Sequence, residues 1–258
     1  MSNATLLWNA YQGLVIKQLR RFLRSWVQNL LPSVVTASLF MLIFGHFVGR
    51  DLGEMGDAAY ADFIMPGLVL FAVVTNAYNN STLAFFGARL QRHIEEMLVA
   101  PMPAWLIVAG FATAGVVRGL MAGGLVLLIA LPMTSLSLAN PGAGLMVAVL
   151  SALLFSFAGL LNGIFARSFD DTSIIATFVL TPLIYLGGVF YPIDRLPAPW
   201  DSLSLANPMV YIVDGFRYSL LGEAPTGSGW TLLVLPVVTA LVGLTVWWLV
   251  ARGIRIKS

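Results

Sequence analysis

From residue 30 to residue 251 the chain repeats one pattern, long unbroken apolar runs separated by short stretches that collect most of the charge. Six runs stand out, near 30–48, 63–86, 107–131, 143–166, 173–192 and 231–251. Each is about as long as the roughly 20 residues that take an α-helix across a bilayer. The runs do not alternate apolar with polar positions, as the strands of a membrane barrel would over about ten residues. In hydrocarbon every backbone N–H and C=O must find its partner inside the protein, which leaves helices. Residues 4–26 predict a different element. Leu7, Tyr11, Val15, Leu19, Phe22 and Trp26 recur at steps of three and four, while Lys17, Arg20, Arg21 and Arg24 repeat the same spacing on the other side. An apolar-aromatic face backed by a basic one predicts a helix lying in the membrane interface.

Composition strengthens this picture. Hydrophobic residues make up 59% of the 258 and charged ones 10%, against about 25% charged in an ordinary soluble domain. A soluble exterior has to be wetted, so the apolar excess must face lipid. Cysteine is absent, which excludes a disulfide framework and any Cys-based metal site. A net charge of +2 is too small to point to nucleic acid. No cleavable signal peptide is expected, because basic residues interrupt the first apolar stretch.

The distribution of charge predicts orientation. With the N-terminus inside, ten of the 14 Lys and Arg residues fall on the cytoplasmic side, and only Arg50, Arg195 and Arg217 outside. Arg118 falls within the third run. The positive-inside rule then predicts both termini in the cytoplasm and an even number of crossings. The connection 193–230 is long, still apolar and punctuated by Pro197, Pro199 and Pro208. Proline stops a continuous span, so short helices dipping into the outer leaflet under cover of protein are expected there.

Catalytic signatures are missing. A P-loop needs Gly-Lys before Ser or Thr, yet the only lysines, Lys17 and Lys257, follow Ile16 and Ile256. ATP cannot be bound in that way by this chain. His46 and His93 are expected on opposite sides of the membrane, and no Gly-x-Ser-x-Gly elbow occurs. The carboxylates are expected in loops, which excludes a proton relay across the bilayer. Asp214 and Arg217, three apart, predict a local ion pair. Gly115, Gly119 and Gly123 form a small-residue ridge, as do Gly159 and Gly163, suited to close helix packing. Arg118 should face protein, water or a lipid headgroup, or snorkel from a shallow position.

The connection after the second run, 87–103, is the most informative. Leu90, Ile94, Met97 and Leu98 make an apolar stripe, with Arg89, Arg92, Glu95 and Glu96 as the polar remainder, ended by Pro101 and Pro103. A short mixed-charge helix with an apolar ridge suits docking in a groove of another protein. Within the second run Asn76, Asn79, Asn80 and Thr82 share one broad helical face. Buried amides in hydrocarbon need partners or water, so these four either bond between helices or wall a polar translocation path.

The segment 87–103 resembles the cytoplasmic coupling helix of ABC-2 type transporter permeases, with an Arg-rich start, an acidic centre and a terminal Ala-Pro. Phe165 to Asp171, Leu180-Thr181-Pro182, Leu186 to Tyr191 and Asn207-Pro208 through Tyr218 look similar as well. The likeness runs along essentially the whole chain and points to the YadH-like bacterial subgroup.

That resemblance implies an all-α integral membrane protein with six transmembrane helices, an N-terminal interfacial amphipathic helix at 4–26 and re-entrant short helices between spans five and six, over 193–230. Residues 1–258 would form a single transmembrane domain in the bacterial inner membrane, with a coupling helix at 88–100. It implies two copies of a separate ATP-binding subunit that hold ATP and Mg, a second copy of this permease, contact with membrane lipid, and no cofactor in this chain. Arg89, Arg92, His93, Glu95, Glu96, Leu98 and Pro101 are the candidate coupling residues. The expected activity is export of an amphipathic, lipid-linked, saccharide or drug-like substrate rather than enzymatic catalysis. A non-transporting signalling or assembly subunit on the same fold is the alternative, because a fold does not establish transport.

Overall fold

Ser25 separates the two helices that begin the chain. In the computed structural model, which describes residues 3–48, 54–55, 58–99, 102–134, 139–193, 196–222 and 229–255, α1 covers Asn3–Arg24 and α2 covers Trp26–Phe40. At the break the Asn29 amide donates to the Ser25 carbonyl and hydroxyl. A π-helical stretch, Met41–Val48, prolongs α2. The strand pairs Glu54–Met55 and Ala58–Ala59 form a minimal antiparallel hairpin. Then follow α3 (Tyr60–Leu90), α4 (His93–Val99), α5 (Ala104–Ala130) and α6 (Pro141–Phe165). α7 (Phe169–Ile175) runs through a π-helical piece, Ala176–Leu180, into α8 (Thr181–Tyr185). α9 (Trp200–Leu205), α10 (Pro208–Leu221) and α11 (Gly229–Ala251) complete the chain.

Among the described residues five helical stretches are long and apolar enough to cross a bilayer: Trp26–Phe44, Tyr60–Leu90, Ala104–Met133, Pro141–Phe165 and Leu232–Ala251. They coincide with five of the six expected runs. The run expected at 173–192 differs. Its helix starts earlier, at Phe169, and stops at Tyr185, where Gly187 and Gly188 turn the backbone, Gly188 with a left-handed φ of 72°. From Phe169 to Tyr185 the helix rises about 25 Å at 1.5 Å per residue, just under the hydrocarbon thickness.

Helix α3 is the axis of the bundle, flanked by α5 and α6. The two glycine ridges explain how neighbours come so close. A Cβ on Gly115 would lie 2.3 Å from the Ser81 hydroxyl, and one on Gly159 would lie 2.4 Å from the Tyr78 carbonyl. Small residues therefore set the spacing on both sides of α3. Two core clusters result. One gathers α2, the first half of α3 and α10 around Met65, Leu70 and Val213. The other joins Leu14 of α1, Phe85 of α3, Ile94 of α4, Phe111 of α5, Ile164 of α6 and Val250 of α11.

α1 keeps the expected amphipathic period with a slightly rotated face. Leu14, Gln18 and Phe22 take the buried positions, while Trp26 is exposed. The Tyr11 hydroxyl meets that of Thr113 at 2.8 Å, so α1 packs on α5. The 193–230 region forms short helices, as its prolines predict. Asn207 caps α10 by accepting from the Met209 N–H at 2.9 Å, and Gly222 ends it with φ 81°.

Not all carboxylates lie in loops, contrary to expectation. Asp62 and Asp214 are buried within α3 and α10. Asp214 accepts from Arg217 at 2.8 Å, the ion pair predicted from their spacing. Arg217 also donates to the carbonyls of Gly188 and Phe63 and stacks 3.9 Å from the Phe63 ring centre. One guanidinium thus ties α10 to the start of α3 and to the turn after α8.

Candidate functional site

The elbow between α3 and α4 is built from a turn that breaks a 31-residue helix. Gln91 and Arg92 form the turn, with Arg92 in the left-handed region at φ 58°. The Arg92 N–H closes it onto the Arg89 carbonyl at 2.9 Å. α4 then folds back on the bundle. Ile94 is fully buried in the second core cluster and Met97 is partly buried against it. The stripe expected to dock on another protein is thus split. Ile94 and Met97 anchor the helix inward, whereas Leu90 is exposed, as is Val99, which lies outside that stripe, at 89%.

The polar residues divide as well. Arg92 and Glu96 face outward, and His93 Nδ1 stands 3.5 Å from Glu96 Oε2. Glu95 is half-buried. Arg89 turns inward and donates to the carbonyls of Ile164 and Ala166 at the end of α6, with its guanidinium over the Phe86 ring. The Leu98 side chain and Pro101 lie outside the described residues. Arg89 therefore belongs to the internal clasp of the elbow. Its carbonyl partners are C-terminal groups of a helix, which are left without intrahelical donors and carry partial negative charge.

The junction that receives this clasp is itself capped. Ser168 and Asp171 form a reciprocal capping box at the start of α7. The Arg167 N–H at 2.8 Å and that of Ser168 at 3.2 Å donate to the Asp171 carboxylate. The Asn162 amide adds a bond to the Thr172 carbonyl at 2.9 Å. Of these contacts only the Ser168-x-x-Asp171 box has a signal in the sequence, a fixed spacing rather than a period.

The polar face of α3 is not one face in the folded chain. Asn76 is buried and donates to Ser33 Oγ at 2.8 Å and to the Ala72 carbonyl at 3.0 Å. Asn80 is buried and accepts from Arg118 at 3.4 Å. Thr82 bonds back to the Tyr78 carbonyl. Of the four candidates Asn79 alone is exposed. It belongs to the one open stripe of an otherwise enclosed helix, with half-buried Phe71 and Thr75 on one side and exposed Leu83 on the other.

A bundle of membrane-length helices with a short helix folded back at the end of α3 defines a multi-spanning membrane subunit. The chain belongs to the ABC-2 type transporter family, whose sequence profile matches residues 9–221. It is 46% identical over 253 residues to the inner membrane transport permease YadH of Escherichia coli (strain K12), covering 98% of this chain and 99% of that one. It is also 26% identical over 196 residues to nodulation protein J of Rhizobium leguminosarum bv. trifolii, covering 76% of this chain and 75% of the relative. Nodulation protein J of Sinorhizobium fredii matches at 26% over 217 residues, 81% of each.

Proposed function

We propose that the chain is the membrane-spanning subunit of an ABC exporter in the bacterial inner membrane, driven by ATP hydrolysis in two copies of a separate nucleotide-binding subunit. The observation that carries this is the α3–α4 elbow. Its outer surface offers Arg92, Glu96 and Val99 to a partner, while Ile94 is buried in the second core cluster and Arg89 clasps the base of the elbow to the end of α6. A push on α4 is therefore passed to α3 and, through Arg89, to the end of α6 rather than dissipated in a loop.

In this reading both termini are cytoplasmic and the chain crosses six times. The stretch from Phe169 to Tyr185 is the fifth crossing, and α9 and α10 re-enter from the outer face. A second copy of the chain faces the open stripe of α3, where Asn79 offers a polar group to a shared path. An unpaired amide in hydrocarbon is costly, and water or substrate in such a path would satisfy it. The substrate is amphipathic, lipid-linked, saccharide or drug-like, consistent with a path lined by few polar groups.

The test is co-purification of the separately encoded P-loop ATPase. Glu95→Arg with Glu96→Arg should release that partner while the permease stays folded. Full retention of the partner would sink the coupling assignment.

A further inference from the structure

Helices α3, α6 and α11, each of membrane length, end side by side, and each brings an arginine to the same open cavity. Arg89 stands at the end of α3, Arg167 just beyond α6 and Arg255 just beyond α11. With Ile164, Phe165 and Ala166 they line a space of about 500 Å³. Arg89 is held there by the Ile164 and Ala166 carbonyls. The Arg255 guanidinium lies 5.3 Å from the Phe165 ring centre, and its backbone turns through the left-handed region at φ 57°, uncommon for a residue other than glycine.

Positive charge in this cavity is unanswered. Among the described residues no carboxylate stands within ion-pair distance of any of the three arginines. The carboxylate of Asp171 is occupied by the N–H groups of Arg167 and Ser168. A guanidinium carries five N–H donors, and Arg89 commits only two groups to carbonyls. The Arg167 and Arg255 side chains are exposed. Three like charges facing one space repel one another, and a bound anion would turn that repulsion into attraction.

The surroundings of the cavity select the anion. Leu241, Leu244, Trp248 and Arg252 recur at steps of three and four along α11 and its last turn, and all four are exposed. The Arg252 guanidinium stacks 4.4 Å from the Trp248 ring centre. Tryptophan beside arginine at the end of an apolar helix marks the level of lipid headgroups. Leu244 and Leu241 continue from there toward the hydrocarbon, and Phe165 in the cavity wall is exposed as well. An amphiphile matches both surroundings, whereas an acidic protein segment would answer only the charges.

We propose that Arg89, Arg167 and Arg255 hold the phosphate of an anionic membrane lipid at the joined ends of α3, α6 and α11, with an acyl chain along Leu244 and Leu241. Arg167 and Arg255 offer the forked donors that suit phosphate oxygens, and Arg89 adds a third charge from its clasp. Basic pockets between membrane helices at a headgroup surface recognise lipids in this way. The site rests on the membrane reading of the bundle and not on the ATPase partner, so its failure leaves the co-purification result standing.

Native mass spectrometry of the full chain in detergent tests this, with dioleoylphosphatidylglycerol, dioleoylphosphatidylcholine and inorganic phosphate as probes. One phosphatidylglycerol per subunit should be retained, about tenfold or more tightly than phosphatidylcholine. Arg167→Gln and Arg255→Gln should each weaken that retention about fivefold, the effect of one basic residue near a membrane surface. Both side chains are exposed, so the variants should fold like the parent, and unchanged elution volume checks this. Arg20→Gln alters an exposed arginine of α1 that does not line the cavity, and it should leave retention unchanged. Unchanged retention in both cavity variants would overturn the proposal, as would an equal loss in Arg20→Gln, the mark of diffuse attraction. So would equal retention of phosphatidylcholine, or displacement of the lipid by millimolar phosphate, which would mark a site for a free anion. Loss of the ATPase partner from the double variant, with phosphatidylglycerol still retained, would give the cavity to an acidic protein segment instead.

Discussion

Replacing Gly159 by alanine forces α6 away from α3, whereas the same change at Gly124 forces nothing. At Gly159 the new methyl would lie 2.4 Å from the Tyr78 carbonyl oxygen, 3.0 Å from Thr82 Oγ1 and 3.2 Å from Ser81 Cβ. Ordinary C···O contacts sit at about 3.3–3.6 Å, so the helices must separate by about 1 Å. The nearest atom is backbone within α3 and cannot rotate aside. A gap of about 0.5–1 Å forfeits a quarter to a half of each dispersion well, and inserted methyl groups in packed cores cost about 1–3 kcal/mol. Both substitutions gain the same helix propensity, about 1 kcal/mol for Gly→Ala. The difference between them therefore isolates the clash. At roughly 2–4 °C per kcal/mol for a chain of this size, Gly124→Ala should melt about 2–12 °C above Gly159→Ala. Fluorescence-detected size-exclusion after heating in detergent reads this directly. Equal melting, or a more stable Gly159→Ala, would refute the claim that backbone contact at the ridge sets the α3–α6 spacing.

Asp214→Ala should cost about 3–5 kcal/mol, because it strands a buried guanidinium. Arg217→Ala should cost at least as much, since the carbonyls of Gly188 and Phe63 also lose a donor; a parental melting temperature in either would contradict the clamp. Arg89→Gln should leave the ATPase partner bound in co-purification while lowering ATP-driven transport several-fold, because it cuts the clasp from the elbow to Ile164 and Ala166. Loss of the partner in that variant would return Arg89 to the interface.

Much of the molecule is legible in the chain because lipid imposes a strong one-dimensional rule. A helix that must bury its backbone in hydrocarbon announces itself as an apolar run, and five of the six runs match membrane-length helices. The amphipathic period of α1, the short helices of the proline-punctuated region after Tyr191 and the Asp214–Arg217 pair follow from spacing in the same way. The fifth run was less well placed. Hydropathy continues through Phe190 and Tyr191, but glycine geometry at 187–188 ends the helix at Tyr185.

Periodicity names which residues share a helix face and leaves open what stands opposite that face. Asn76, Asn79, Asn80 and Thr82 read alike along α3, yet Ser33 takes up Asn76, Arg118 reaches Asn80, and only Asn79 stays open. Arg89 and Arg92 read alike beside α4, but the end of α6 presents carbonyls to the first while the second stands exposed. Phe22 and Arg118 are 96 positions apart, and their meeting depends on α1 lying along α5. The sequence by itself determined which solvent each segment requires, since that follows from local composition. The partner of each polar group is decided only where distant helices converge, because hydrogen bonds and ion pairs act over a few ångströms in space and carry no trace in local spacing.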